Sequence, residues 1–208
     1  MTTLAYIVVG FGVLRLVIAT LNLLLQEKLP HPKSGESLPS LSVLIPARNE
    51  AHNIEALLSD LTHVESESLL EIIVCDDASE DSTVERVDTW MQRDSRIRLI
   101  YSSGPPSGWL GKNHACHLLS REARGEYLLF LDADVRLSPA FIERALSYAT
   151  THRLGLLSLF PRQRMQTWAE RVSVPNMHLI LLSLLLLPLV RRDSSSLTNG
   201  LGTAGQRI

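Results

Sequence analysis

The sequence predicts an α/β domain built on a mainly parallel sheet, and three observations predict it. Short apolar runs recur at Leu41–Pro46, Glu71–Asp77 and Tyr127–Leu131, and each ends abruptly on polar or acidic residues. Between them lie segments whose apolar residues recur at helical spacing. Strands alternating with helices imply right-handed crossovers, which stack the strands parallel and cover the sheet with helices. In open sheets of this kind ligands bind at the carboxyl ends of the strands, where the carboxylates of this chain collect.

From Leu4 to Leu25 the chain is apolar apart from Arg15, Asn22 and a few Thr and Gly residues. That length crosses a hydrocarbon layer of about 30 Å. Met1-Thr-Thr lacks the basic start of a cleaved signal peptide, so residues 1–27 are expected to be a retained transmembrane anchor. Lys28 and Lys33 follow the span and nothing basic precedes it, which places the remainder on the cytoplasmic side. Arg15 in mid-span is costly unless it snorkels, pairs with another helix, or the segment lies in the interface. Residues 28–40, rich in Pro, Gly and Ser, read as a linker.

Leu41-Ser-Val-Leu-Ile-Pro46 reads as a first strand ended by proline. Ile54, Leu57, Leu58 and Leu61 then mark an amphipathic helix, with Asn49 as its expected cap. A second unit runs from the strand closing on Asp76-Asp77 into a helix carrying Val84, Val87, Trp90 and Met91. Asp76 and Asp77 suit the start of a turn that caps this helix, for which Asp81 and Ser82 are equally good caps. Ile97–Tyr101 is a third strand, and Ser102–Gly111 is too rich in Gly and Pro to be regular. Lys112–Ala123 reads as helix and leads through Gly125 to the Tyr127 strand. Leu128 to Leu131 form a continuous apolar run, which suggests burial on both faces. Pro139 suits the first turn of a helix reaching about Thr150, and Gly155–Phe160 reads as a fifth strand. Past Pro161 the apolar stretch Leu179–Val190 reads as an interfacial or re-entrant helix, a second span starting near Val172, or a core helix. Residues 161–192 are therefore grouped as a membrane-associated segment, with Arg191-Arg192 suited to a phosphate-rich surface, and 193–208 as a weakly ordered tail.

With 208 residues and a net charge of −2, the chain carries no basic signature for nucleic acid. Cys75 and Cys116 lie far apart without metal-ligand spacing, and Cys75 reads as a buried strand thiol. Asp132 and Asp134 stand two apart at the end of the Tyr127 strand, so in extended geometry both point to one spot. Such a pair suits a hard divalent cation, Mg²⁺ or Mn²⁺, carrying a phosphorylated ligand; it equally suits an acidic loop that caps the next helix. His114 and His117 read as a solvated helix face, and Trp109 as either a lid residue or a loop anchor.

Three stretches together resemble glycosyltransferase family 2: Ser42-Val-Leu-Ile-Pro-Ala-Arg-Asn-Glu50, Ile73-Val-Cys-Asp-Asp-Ala-Ser-Glu-Asp-Ser82 and Phe130-Leu-Asp-Ala-Asp134. Gly108-Trp-Leu-Gly-Lys-Asn-His-Ala115 is similar to a membrane-associated bacterial subgroup linked to hopanoid or carotenoid pathways. The resemblance covers about Leu41 to Phe160. It implies a Rossmann-like GT-A domain over residues 41–160, a nucleotide-sugar donor, expected to be UDP-linked, and a lipid or isoprenoid acceptor met at the membrane. By resemblance, Pro46, Ala47, Arg48 and Glu50 line the base and ribose. Asp76 and Asp77 accept hydrogen bonds from uracil or ribose, a match of carboxylate acceptor to N–H and O–H donors. Lys112 reaches the diphosphate, and Asp132 and Asp134 hold the metal that bridges it.

The chain departs from the family where inverting members place a carboxylate general base and a Gln-x-x-Arg-Trp motif. After Asp134 the acids are Glu143, Glu170 and Asp193, none in such a motif. The expectation is therefore the donor-binding part of a longer, metal-dependent inverting enzyme. The alternative is a nucleotide-binding membrane protein that lacks the base and does not turn over.

Overall fold

The computed structural model describes residues 2–25, 29–31, 37–159, 165 and 167–184. These residues form two compact units, one built of the helices at the two ends of the described chain and one spanning Pro30–Thr150.

The second unit carries a four-stranded sheet in the order β3-β2-β1-β4, made of β1 (Leu41–Ala47), β2 (Leu69–Asp76), β3 (Ile97–Tyr101) and β4 (Tyr127–Phe130). Every pairing is parallel, as the strand–helix alternation requires. Alternation along β1 and β2 splits the core between the two faces. Val43, Ile45, Ile72 and Val74 face α2 (Ile54–Thr62), α3 (Thr83–Met91) and α5 (Phe141–Thr151), against Leu57, Leu58, Leu61, Val87, Ile142 and Leu146. Leu44, Ile73 and Cys75 face α4 (Gly111–Glu122) through Ala115 and Leu119.

Pro46 lies inside β1 and does not end it: the strand continues to Ala47, which pairs with Asp76. The Leu44 carbonyl accepts the Leu131 N–H at 3.0 Å, and paired contact with β4 stops at Leu44. The next bond on that side would run from residue 46 to the Leu131 carbonyl, and Pro46 has no N–H to give, so pairing with β4 ends there while pairing with β2 continues. β4 also differs from the expectation of burial on both faces. Leu128 and Phe130 are exposed while Tyr127 and Leu129 pack against the core, because β4 is the last strand in the order and α4 covers β1 and β2. Residues 155–159 join no sheet, which corrects the expected fifth strand over its described part; Phe160 lies outside the described residues.

The amino edge of the sheet is fastened by a buried carboxylate. Glu71 accepts the Ser42 hydroxyl at 2.8 Å and the Arg124 N–H at 2.7 Å on one oxygen, and the Arg98 guanidinium at 2.9 and 3.1 Å on the other. Burial pushes this carboxyl up, but the Ser42, Arg124 and Arg98 donors outweigh it and hold it below the usual range. Gly125 completes the junction: its N–H donates to Ser42 Oγ, and a Cβ there would lie 2.4 Å from the Ser42 backbone nitrogen.

The first unit pairs α1 (Thr2–Leu24) with α6 (Trp168–Leu184). α1 is long and apolar enough to cross a membrane, by length and composition. Arg15 takes the second of the options open to it: its guanidinium donates to Ser183 Oγ of α6 at 2.7 and 2.9 Å and lies over the Phe11 ring. Asn22 Nδ2 donates to the Leu182 carbonyl at 2.6 Å. α6 opens with a reciprocal capping box in which the Thr167 N–H donates to the Glu170 carboxylate and the Glu170 N–H to Thr167 Oγ1. Leu185–Val190, Arg191-Arg192 and residues 193–208 lie outside the described residues.

Candidate active site at the carboxyl edge of the sheet

The loops after β1 and β2 are bound to each other before any ligand is considered. The Asn49 N–H donates to Ser79 Oγ, the Glu50 N–H to Thr83 Oγ1 and the Ala51 N–H to Asp81 Oδ2, while Asn49 Oδ1 accepts the Glu80 N–H at 2.8 Å. Asn49 is therefore not the cap of α2. It sits at φ 56° and spends its side chain on the neighbouring loop, and Asn53 stands at the cap position without a side-chain bond to the amides of the first turn. Asp81 does act near the start of α3, accepting the Thr83 N–H at 3.0 Å, and the Thr83 and Ala51 donors hold its carboxyl below the usual range against a smaller opposing effect of burial. Ala78 also takes the left-handed conformation, at φ 57°. A non-glycine residue there costs about 1 kcal/mol or more, and such strain gathers at functional sites.

These loops present the expected side chains to one edge. Ala47 is buried, and its carbonyl accepts the Asp77 N–H at 2.9 Å, which fixes the turn out of β2. Pro46 is half-buried, and the Glu50 carboxylate accepts the Asn53 side-chain amide at 2.8 Å. Asp76 and Asp77 are 5% and 6% exposed. Asp76 Oδ2 accepts the Ser79 N–H at 3.3 Å, whereas its Oδ1 is buried without a hydrogen-bond partner among the described residues. The Arg48 guanidinium, 61% exposed, stands 4.0 Å from Asp77 Oδ2.

α4 joins the two acidic strand ends. Its first residue, Gly111, lies against Asp77: a Cβ there would stand 2.5 Å from Asp77 Oδ2. Its second, Lys112, donates to Asp132 Oδ1 at 2.6 Å. Leu110 gives α4 no side-chain cap, and the first amides of a helix have no intrahelical acceptor, so this amino end favours an anion. The hydrogen bond to Asp132 raises the Lys112 pKa, burial opposes it, and the charges of Asp132 and Asp134 add to the rise. Asp132 and Asp134 lie past the end of β4 in a turn closed by the Val135 N–H on the Asp132 carbonyl at 3.1 Å, and not in the extended geometry expected for the pair. The loop before α4 is held by His114, which is buried rather than solvated. Its Nδ1 is 3.3 Å from Ser102 Oγ, and Trp109 meets it edge-on with ring centroids 6.1 Å apart. Trp109 also contacts His117 at 5.3 Å, so it anchors the loop.

Sequence reasoning found the residues at each strand end but missed the Lys112–Asp132 pair, the approach of Gly111 to Asp77 and the burial of His114, all of which are long-range. The Thr167–Glu170 box was missed as well, although Thr-x-x-Glu before an apolar run is its pattern. The donor set of Asp132 and Asp134 fits a hard divalent cation in part. Among the described residues no group of three or more His, Cys, Asp and Glu side chains gathers to hold a metal, so most of the coordination shell falls to phosphate and water oxygens, as Mg²⁺ prefers.

Residues 42–199 match the family model for Glycosyl transferase family 2. The chain is 34% identical over 131 residues to the 4,4'-diaponeurosporenoate glycosyltransferase of Staphylococcus haemolyticus, covering 62% of this chain and 34% of that protein. It is 34% identical over 112 residues to the dolichol-phosphate mannosyltransferase of Mycosarcoma maydis, covering 51% and 37%. It thus spans about a third of the length of these curated relatives. In fold it resembles the GT-A mannosyltransferase of Pyrobaculum calidifontis solved with GDP-Man and Mn²⁺, at a TM-score of 0.60 and 24% identity, over 76% of this chain and 46% of that one.

Proposed function

The chain belongs to glycosyltransferase family 2, and from that premise we propose that it binds a nucleotide-sugar donor, UDP-linked, and transfers the sugar with inversion to a lipid or isoprenoid acceptor at the cytoplasmic face of a membrane. The observation that carries the reading is the convergence at the start of α4, where Gly111 abuts Asp77 and Lys112 bonds Asp132. A ligand spanning these carboxylates has hydrogen-bond donors at one end and an anion at the other, which is the make-up of a nucleoside diphosphate. Asp77, Asp76, Arg48 and Glu50, with the backbone of Pro46 and Ala47, take the base and ribose. Lys112 and the amides of α4 take the diphosphate. A divalent cation held by Asp132 and Asp134 supplies neutralisation of the charge that gathers on the departing diphosphate.

The acceptor reading is supported by the relatives named for carotenoid and dolichol-phosphate substrates and by α1, which we read as the anchor, its mid-span Arg15 hydrogen-bonded to Ser183 of α6. The test is calorimetry of UDP and GDP with Mn²⁺ on the detergent-solubilised chain. Asp132→Asn and Asp134→Asn should each weaken Mn²⁺-dependent nucleotide binding by about tenfold or more, the value of a lost charge-assisted bond. Unchanged binding removes both residues from the site.

One observation favours a second reading, nucleotide binding without transfer. Of the two described acids after Asp134, Glu143 and Glu170, the latter is engaged in capping α6. A general base is worth about 10²- to 10⁴-fold in rate. Metal-dependent UDP affinity with neither hydrolysis nor transfer from any donor supports that reading over the first.

A further inference from the structure

We infer that Lys112 is the built-in counter-cation of Asp132, and that its exchange for a divalent metal makes metal binding and diphosphate binding depend on each other. The inference deepens the nucleotide-sugar reading and rests on it for its second half only.

The Lys112 ammonium is 2.6 Å from Asp132 Oδ1. A Mg²⁺ or Mn²⁺ ion bonded to that oxygen sits about 2.1 Å from it. The two cations then compete for one carboxylate and repel each other, so the metal enters only as the lysine leaves. The pair is built to open. Its side chains are 63% and 57% exposed, and exposed ion pairs are worth about 0.2–1 kcal/mol. Asp60 shows the contrast. It is 15% exposed, takes two bonds from Arg136 and a third from the Leu137 N–H, and holds the stretch after Asp134 to α2.

Once displaced, Lys112 sits on the first turn of α4, at the positive end of that helix, with no acidic neighbour in the first turn. A metal ion alone leaves it there without a partner. A metal that carries a diphosphate brings phosphate oxygens to it, and the lost ion pair is replaced by a charge-assisted bond. Each ligand therefore raises the affinity of the other, by equal factors as linkage requires. In the absence of nucleotide the lysine keeps Asp132 paired and lowers its hold on a metal. If Lys112 instead serves only to fasten α4 to the end of β4, its removal lowers stability and leaves metal affinity where it was.

The experiment titrates the full chain in detergent with Mn²⁺ alone, with UDP alone, and with UDP in saturating Mn²⁺, for the native protein, Lys112→Met, Lys112→Gln and Lys112→Arg, with thermal midpoints recorded for each. For the Met and Gln variants Mn²⁺ alone binds about two- to fivefold more tightly, the strength of an exposed pair. UDP in saturating Mn²⁺ binds about tenfold more weakly, the loss of one charge-assisted bond. The factor by which Mn²⁺ enhances UDP affinity falls accordingly, and Lys112→Arg retains most of it. Unchanged Mn²⁺ affinity in folded Met and Gln variants overturns the counter-cation role. Weaker UDP binding with an unchanged Mn²⁺ enhancement overturns the coupling. A native chain that binds Mn²⁺ but neither UDP nor GDP overturns the nucleotide reading, and the Mn²⁺ arm still decides the role of Lys112.

Discussion

Replacing Gly111 by alanine separates binding from folding at this site. A Cβ at Gly111 would stand 2.5 Å from Asp77 Oδ2, and ordinary contact begins at 3.4 Å, so the carboxylate must move by about 0.9 Å. The Asp77 backbone stays in place, held through its N–H to the Ala47 carbonyl, so the movement falls on the side chain and turns the carboxylate away from its position. Hydrogen-bond distances span only about 0.5 Å between good and poor, so the displaced carboxylate loses its bond to a base or ribose. A bond to a charged group contributes about 1.5–3 kcal/mol, which is about 10- to 150-fold in affinity. Stability should change little, because the moving atom ends a side chain and alanine favours the helix by up to about 1 kcal/mol over glycine. Gly125→Ala is the control of opposite sign. Its Cβ meets backbone, 2.4 Å from Ser42 N and 2.7 Å from the Leu41 carbonyl carbon, so it should destabilise the fold by about 2–3 kcal/mol. The assay is UDP calorimetry in Mn²⁺ beside denaturant unfolding for both variants. If Gly111→Ala binds UDP as the native chain does, Asp77 is not a nucleotide ligand.

Glu71→Ala strands Arg98, Ser42 and the Arg124 amide together and should cost about 3 kcal/mol in denaturant unfolding; a loss under 1 kcal/mol refutes the junction. Because its folded pKa lies below the ordinary 4.5, its contribution is present above that value and is lost as pH falls below it, so Glu71→Gln should show a shallower acid loss than the native chain. Cys75 is pushed up to about 11 by burial and then by the Asp77 and Asp76 charges, and Cys116 is raised chiefly by burial. Alkylation with iodoacetamide at pH 8 should therefore be slow at both in the native state and rapid after denaturation; fast native labelling of Cys75 refutes its burial in the sheet.

Much of the fold was legible because its signals are local. The run Leu41-Ser-Val-Leu-Ile is followed at helical spacing by Ile54, Leu57, Leu58 and Leu61, and repetition of that unit leaves a parallel sheet as the outcome. The acids at 76, 77, 132 and 134 declared themselves in the same way, by ending apolar runs. What was misread depended on neighbours distant in sequence. Leu128 and Phe130 looked buried on both faces because an apolar run carries no record of whether a helix covers it. Pro46 looked like a strand end because the sequence does not say that β1, whose pairing with β4 stops at Leu44, keeps a second partner in β2 as far as Ala47. Asn49 looked like a cap until the second loop supplied Ser79 and Glu80 as partners.

By itself, then, the sequence determined that three strands end in ligand-type side chains and that an apolar helix precedes them, since periodicity and composition act within a few residues. Only the tertiary structure decided that α4 sets its first two residues against Asp77 and Asp132, two carboxylates 55 positions apart in the chain. That placement follows from the order β3-β2-β1-β4, which returns the chain after β3 across the sheet to the far side of β1. No local pattern encodes it, because it is the packing of Ala115 and Leu119 on Leu44, Ile73 and Cys75 that draws the start of α4 between the two acidic strand ends.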